Sequence, residues 1–405
     1  MKKSTIITIL AFVVGVIVLA AAFILLTPNN ISNGLFHKTT TEGDAGADID
    51  TTTVTTQRVN YQALDYSSIN LSDYVTLGAY KGFTIEVDQL EATEEEIDMQ
   101  IDFILILNNA FNKIEQGTIS ESYVFSFDFT GYFANEDGSK GEAFSGGAGT
   151  NQLAYIEGNT LFTVSTSGIG SFIDGFAQGM INKNIGDTLE IPITFPDNYS
   201  ADMAGKKTIF EVKINYIADP AFTDEWVNKS TEGELKTCEE YREYIRGAIN
   251  DIIDESNQAL LWNEIISAAK VTVPEQQFNY LYYTEYRYMF EDYATMFGMT
   301  YDQFLQSGYA AYFTGVEIYS DSALISYVNQ SITNELILRA IIEAEGIEVT
   351  DEEYAAFIAT LMEQTGKTEA ELLTQYGGKD VLVEEILLNK VNKLVLDTNK
   401  FVIKE

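Results

Sequence analysis

Imidazole and thiol are nearly absent from this chain: its 405 residues include one histidine, His37, and one cysteine, Cys238. A lone thiol closes no internal disulfide and builds no thiolate cluster, and a lone imidazole offers no paired ligand, so the usual zinc sites are excluded. A Ser-His-Asp or Cys-His nucleophile has no base outside His37, which sits in a polar linker. Positive charge is also scarce. Lys and Arg total 24 against 61 Asp and Glu, a net charge of −37, so a nucleic-acid backbone would be repelled. No metal or cofactor motif is found: Ile173 occupies the third glycine position of a dinucleotide fingerprint after Gly168-Ile169-Gly170. Asn135-Glu136-Asp137-Gly138 lacks the alternating ligands of a calcium loop and reads as a hairpin turn. Cofactors and metals are therefore expected to be none.

Against these absences stands one long apolar run. Thr5 to Leu26 holds 22 uncharged positions, enough at about 1.5 Å per residue to span a hydrocarbon core of roughly 30 Å. It predicts a transmembrane anchor over 1–27. Lys2 and Lys3 precede it, which places the N-terminus in the cytoplasm and the bulk of the chain outside the membrane, as a single-pass protein. The rival reading is a cleaved signal peptide, with Ala20-Ala21-Ala22 as its small residues. Residues 28–60 are polar and Thr-rich and read as a flexible linker. Residues 1–58 carry four basic and four acidic side chains, so all the negative charge belongs to the remainder.

The remainder changes pattern twice. Tyr80 to Val87 alternates like a strand, and Thr93-x-x-Glu96 is a capping box that opens a helix to about Ile114. From 120 to 218, alternating runs such as Tyr123 to Phe129 and Thr208 to Ile217 surround a glycine-rich stretch at Gly146 to Gly149. This predicts an antiparallel β domain with one short helix between Phe172 and Met180. From 219 to 405 helices dominate, opened by Thr237-x-x-Glu240, Pro274, Thr350-x-x-Glu353 and Thr368-x-x-Glu371. The fold class is α+β and multidomain: an N-terminal transmembrane helix, an antiparallel β domain, and an extended all-α domain. The intervening 61–119 is expected to lead into the β domain while packing with the C-terminal one.

The ordered segments Ser171-Phe172-Ile173-Asp174-Gly175-Phe176, Ile185-Gly186-Asp187, Phe195-Pro196-Asp197-Asn198-Tyr199 and Ile209-Phe210-Glu211-Val212 resemble the FKBP-type prolyl isomerase domain, in the version found in bacterial trigger factor. Phe127 to Gly131 before it, and Phe222 to Val227, Glu232 to Leu235 and Val271 to Pro274 after it, extend the resemblance to about 325 residues. It implies an isomerase pocket of Phe129, Phe144, Phe172, Ile173, Phe176, Tyr199 and Phe210, with Phe176 as floor and the Ile173 amide as donor to the substrate carbonyl. Two departures stand out. The family's acidic residue after the pocket Phe is Ser145 here, and a membrane helix and linker stand where trigger factor has its ribosome-docking domain. The resemblance thus implies a peptidyl-prolyl isomerase and chaperone moved outside the membrane. Its partners would be unfolded or newly translocated polypeptides, not ribosomes. The alternative is a non-catalytic chaperone or secretion scaffold with a vestigial pocket.

Between Phe278 and Phe313 lie 14 Phe and Tyr residues. At 100° per residue, aromatics at 280, 282, 283, 286, 288 and 290 point all around a helix, so some must be exposed. Tyr282, Tyr286, Met289, Phe290, Tyr293 and Phe297 are the expected client-binding residues, adaptable apolar side chains suited to promiscuous holding. An interface with the long helix or with another copy explains the same density. Residues 219–405 carry 13 basic and 34 acidic side chains, which suppresses self-association around such a surface.

Overall fold

The computed structural model describes residues 58–404 apart from 122, 166, 167 and 201. The expected anchor and most of the linker lie outside the described residues, among which no helix is long and apolar enough to cross a membrane. Residues 92–249 form one compact unit, and residues 58–91 with 250–404 form another.

In the second unit, the N-terminal piece supplies β1 (Val75–Thr76) and β2 (Thr84–Val87). The first unit opens with α1 (Glu94–Leu107), whose Thr93 and Glu96 side chains cap each other's amides. The helix stops at Asn108 rather than continuing to Ile114. Asn109 turns into the left-handed region at φ 55°, which Asn tolerates, and Phe111–Ile114 becomes a strand, β3.

The sheet continues with β4 (Val124–Ala134), β5 (Lys140–Glu157), β6 (Thr160–Ser165), β7 (Gly168–Ser171), α2 (Phe176–Met180), β8 (Thr188–Thr194) and β9 (Lys207–Pro220). Its order is β3-β9-β4-β5-β6-β7, with β8 also on β9, and every pairing is antiparallel. Asn135–Gly138 makes the predicted turn between β4 and β5, Gly138 sitting at φ 82°. Residues 146–165 form the end of β5 and its hairpin to β6. One face of the sheet packs Phe125, Phe127, Phe176, Phe210, Val212 and Ile214. The other receives Phe103 and Ile106 of α1 against Val164 and Ala218. A register shift between Ser126 and Phe127 lets Ile214 and Ile217, three residues apart, face the same core.

After α3 (Asp224–Ser230) comes α4 (Cys238–Ala268), 31 residues within which the two units divide. The second unit resumes with β10 (Lys270–Val271), antiparallel to β1. Next is a continuous helical run: α5 (Glu275–Asn279), eight π-helical residues (Tyr280–Arg287) and α6 (Tyr288–Met296). It is followed by α7 (Tyr301–Gln306), α8 (Ala311–Thr314), α9 (Asp321–Glu345), α10 (Asp351–Thr365), α11 (Glu369–Tyr376), α12 (Lys379–Thr398) and β11 (Lys400–Ile403). The caps expected at Thr350 and Thr368 are formed, and Thr300 with Gln303 makes a further one. Strand β11 pairs in parallel with β2, so the chain's C-terminal strand and residues 84–87 close one two-stranded sheet.

Candidate functional site

The β unit gathers phenylalanine rings because Phe125, Phe127 and Phe129 alternate onto one face of β4, and β9 places Phe210 beside them. Phe176, at the start of α2, is 1% exposed, with ring centroids 4.7 Å from both Phe172 and Phe210. Phe129 stands edge-on to Phe172 at 5.1 Å, and Phe144 edge-on to Phe210 at 5.7 Å. Five of the seven expected pocket residues therefore form one ring network. Ile173 packs against it, and Tyr199 joins through Phe195 at 4.8 Å.

Exposure is graded across the network. Phe176 and Phe210 are buried, Phe129, Phe144, Phe172 and Ile173 are half-buried, and Tyr199 is 46% exposed. The result is a dry floor with rings rising to the surface. The glycine-rich stretch is a ring seat: a Cβ at Gly131 or Gly147 would overlap Phe144, and one at Gly149 would come 2.6 Å from Phe129. The Ile173 amide makes no hydrogen bond among the described residues, while Phe172 donates to the Leu161 carbonyl at 2.9 Å. Phe195, within the Phe-Pro-x-x-Tyr segment, was not nominated from sequence. It lies 6.1 Å from Phe144 and 6.4 Å from Phe210 and links Tyr199 to the cluster.

The helical unit departs from expectation at the aromatic segment. Tyr282, Tyr286 and Phe290 are buried in the main core and present no surface to a client. Spaced four residues apart, they lie along one face of the helical run, and that face packs into the core; Tyr280–Arg287 within it is wound as a π-helix. An ion-pair network holds this segment. Asp321 accepts from Tyr282 Oη at 2.8 Å, Tyr301 Oη at 2.7 Å and Arg287 Nη1 at 2.9 Å.

Met289 and Tyr293 do reach a surface. With Thr284, Tyr288, Asp292 and Met296 they line an open pocket of about 380 Å³. Phe297, 50% exposed, stacks 6.3 Å from Tyr293 and leads through Tyr309 to Tyr312, which is 86% exposed. Met296, Tyr309 and Tyr312 were not among the expected client-binding residues. Gly298 and the short helices after it turn these rings outward.

A second pocket of about 350 Å³ in the β unit is lined by Trp226, Tyr241, Tyr244, Ile104 and Leu235, among others. Beside it, burial and the Asp224 carboxylate push the Cys238 thiol up to about 11, which leaves it protonated and unreactive near neutral pH. No cluster of side chains able to hold a metal occurs among the described residues.

Residues 234–397 match the family model of the bacterial trigger factor protein C-terminus. The chain is 29% identical over 340 residues to the trigger factor of Lachnoclostridium phytofermentans, covering 80% of this chain and 73% of that protein. It is 28% identical to the trigger factor of Macrococcus caseolyticus (82% and 74%) and 27% identical to that of Staphylococcus carnosus (83% and 73%). A solved structure described under promiscuous substrate recognition in folding and assembly activities of the trigger factor chaperone aligns at TM-score 0.31 and 18% identity. That alignment covers 80% of this chain and 72% of the other.

Proposed function

We propose that this chain, whose residues 234–397 match the family model of the bacterial trigger factor C-terminus and which is similar to trigger factors along about four fifths of its length, is a membrane-anchored foldase acting outside the membrane. Its β unit isomerises X–Pro bonds and its helical unit holds unfolded segments. Rotation about an X–Pro amide has a barrier near 18–20 kcal/mol because the C–N bond must lose its double-bond character. An apolar cleft that binds the twisted amide better than the planar one lowers this barrier with no proton transfer. That suits a chain with a single histidine.

The observation that carries the reading is the graded ring cluster. Phe176 and Phe210 are buried at its base, the partly buried Phe129, Phe144 and Phe172 rings pack against them, and the partly buried Ile173, whose amide makes no hydrogen bond among the described residues, lies beside them. Anchoring rests on the 22-residue apolar run beginning at Thr5. The test is isomerisation of a proline tetrapeptide by the full chain in detergent. Phe172→Ala is expected to lower kcat/KM at least tenfold while the β unit still melts cooperatively. A native chain without activity overturns the catalytic reading. The non-catalytic holder would then stand, supported by the exposed stripe of Met296, Phe297, Tyr309 and Tyr312.

A further inference from the structure

The first described residues lie across the aromatic helical run and contact it at every third position. Arg58 makes a two-point ion pair with Asp292, both contacts 2.8 Å, reaches Glu291 at 3.4 Å, and stands over the Tyr288 ring at 4.9 Å. Tyr61 stacks on Tyr283, with centroids 5.2 Å apart and planes at 20°. The Leu64 amide donates to Gln277 Oε1 at 2.9 Å. Between these points the Val59 amide donates to Tyr288 Oη, and Gln276 donates to the carbonyls of Gln62 and Ala63. This is how an extended peptide is held: one cation, one ring and several backbone bonds.

This helix face adjoins the client stripe proposed above, on which this inference rests, through Met296, which belongs to both. Tyr288 and Asp292, the two partners of Arg58, also line the 380 Å³ pocket with Met289, Tyr293 and Met296. A peptide using that wall must displace Arg58. The hold is light, since Arg58 keeps 42% of its side chain exposed and solvent-exposed ion pairs are weak and screened by salt. We infer that residues 58–64 are a resident strap, an internal ligand that occupies the Tyr283 to Asp292 face and competes with incoming peptide. A binding site available only while its strap is released shows an affinity reduced by the released fraction.

The test uses the full chain in detergent and a fluorescein-labelled synthetic peptide of residues 58–64, read by anisotropy. Arg58→Glu with Tyr61→Ser disables the resident strap; Arg58 is exposed and Tyr61 half-buried, and thermal melting checks that the fold is kept. The peptide is expected to bind this variant about five- to tenfold more tightly than the unaltered chain. Adding Asp292→Lys should abolish the gain. Equal affinity for the unaltered chain and the strap variant overturns the inference, as does a gain that survives Asp292→Lys, or no binding to the strap variant at about 1 mM. Aggregation suppression measured in parallel separates the two ideas. A strap variant that gains peptide but suppresses aggregation no better leaves the strap standing and removes the client role from this face.

Discussion

Removing the Arg339 side chain should weaken the helical unit strongly. Its guanidinium bonds Glu335 at 3.0 and 3.1 Å, pairs with Glu384 at 3.0 Å, and lies over the Tyr66 ring at 4.2 Å. Glu335 is 5% exposed and accepts from Tyr66 Oη at 2.8 Å, so the network fastens the segment before β1 to α9 and α12. Replacing Arg339 with Met leaves a buried carboxylate without its counter-charge, at a cost of about 3–5 kcal/mol. Desolvation already raises the Glu335 pKa against the pull of Arg339, and losing that cation raises it further. The native state then holds a proton that the unfolded chain has released. Stability therefore falls as pH climbs from the unfolded value near 4.5 through the higher native one. The deficit of Arg339→Met should thus be larger at pH 8 than at pH 5. Urea unfolding is followed through Trp262, buried in this unit's core, in a Trp226→Phe background that silences the β unit. Glu335→Leu with Arg339→Met should recover at least half of the loss, because the more deeply buried carboxylate is gone and Glu384, its side chain 18% exposed, keeps contact with water. A single-variant cost below about 1 kcal/mol, or a deficit independent of pH, would refute the reasoning.

Phe176→Ala removes a ring that touches two others and should destabilise the β unit by about 3–5 kcal/mol in calorimetry. Gly147→Ala forces a methyl into the Phe144 ring and should cost about 1–3 kcal/mol there while lowering isomerase kcat/KM. Glu353, bonded to Lys390 and to its own helix cap at Thr350, is lowered to about 2. What this carboxylate contributes is present above its unfolded value near 4.5 and lost as pH falls toward 2. Carboxyl NMR should show the low midpoint, and Lys390→Met should move it up. Changing Met296, Phe297, Tyr309 and Tyr312 together to Ser should impair suppression of a denatured client's aggregation without lowering the melting temperature. Unchanged suppression would remove that stripe from the client surface.

Local signals carried well from sequence to structure. Thr93, Thr350 and Thr368 open helices because a capping box needs only side chains three residues apart, and Asn135–Gly138 turns because Gly accepts a positive φ. The pocket residues, Tyr199 of the Phe-Pro-x-x-Tyr segment among them, came from the family resemblance, while alternation put Phe125, Phe127 and Phe129 on one face of their strand. Whether rings are floor, wall or rim was not legible, because burial depends on how β4, β9 and α2 come together.

Sequence alone determined the kinds of element, their caps, the acidic and imidazole-poor chemistry, and the aromatic richness of 278–313. Only the tertiary structure decided which aromatics are core. Tyr282, Tyr286 and Phe290, spaced four residues apart, share the face that packs into the core, with Tyr282 held by Asp321; aromatics lie all around this helix, so which face is buried was set by the elements packed against it. The tertiary structure likewise divided the expected 61–119 segment: residues up to 91 join the helical unit, through β2 on β11 and Tyr66 on Glu335, while those from 92 belong to the β unit. Contacts between residues some 300 positions apart leave no periodic trace in the chain that makes them.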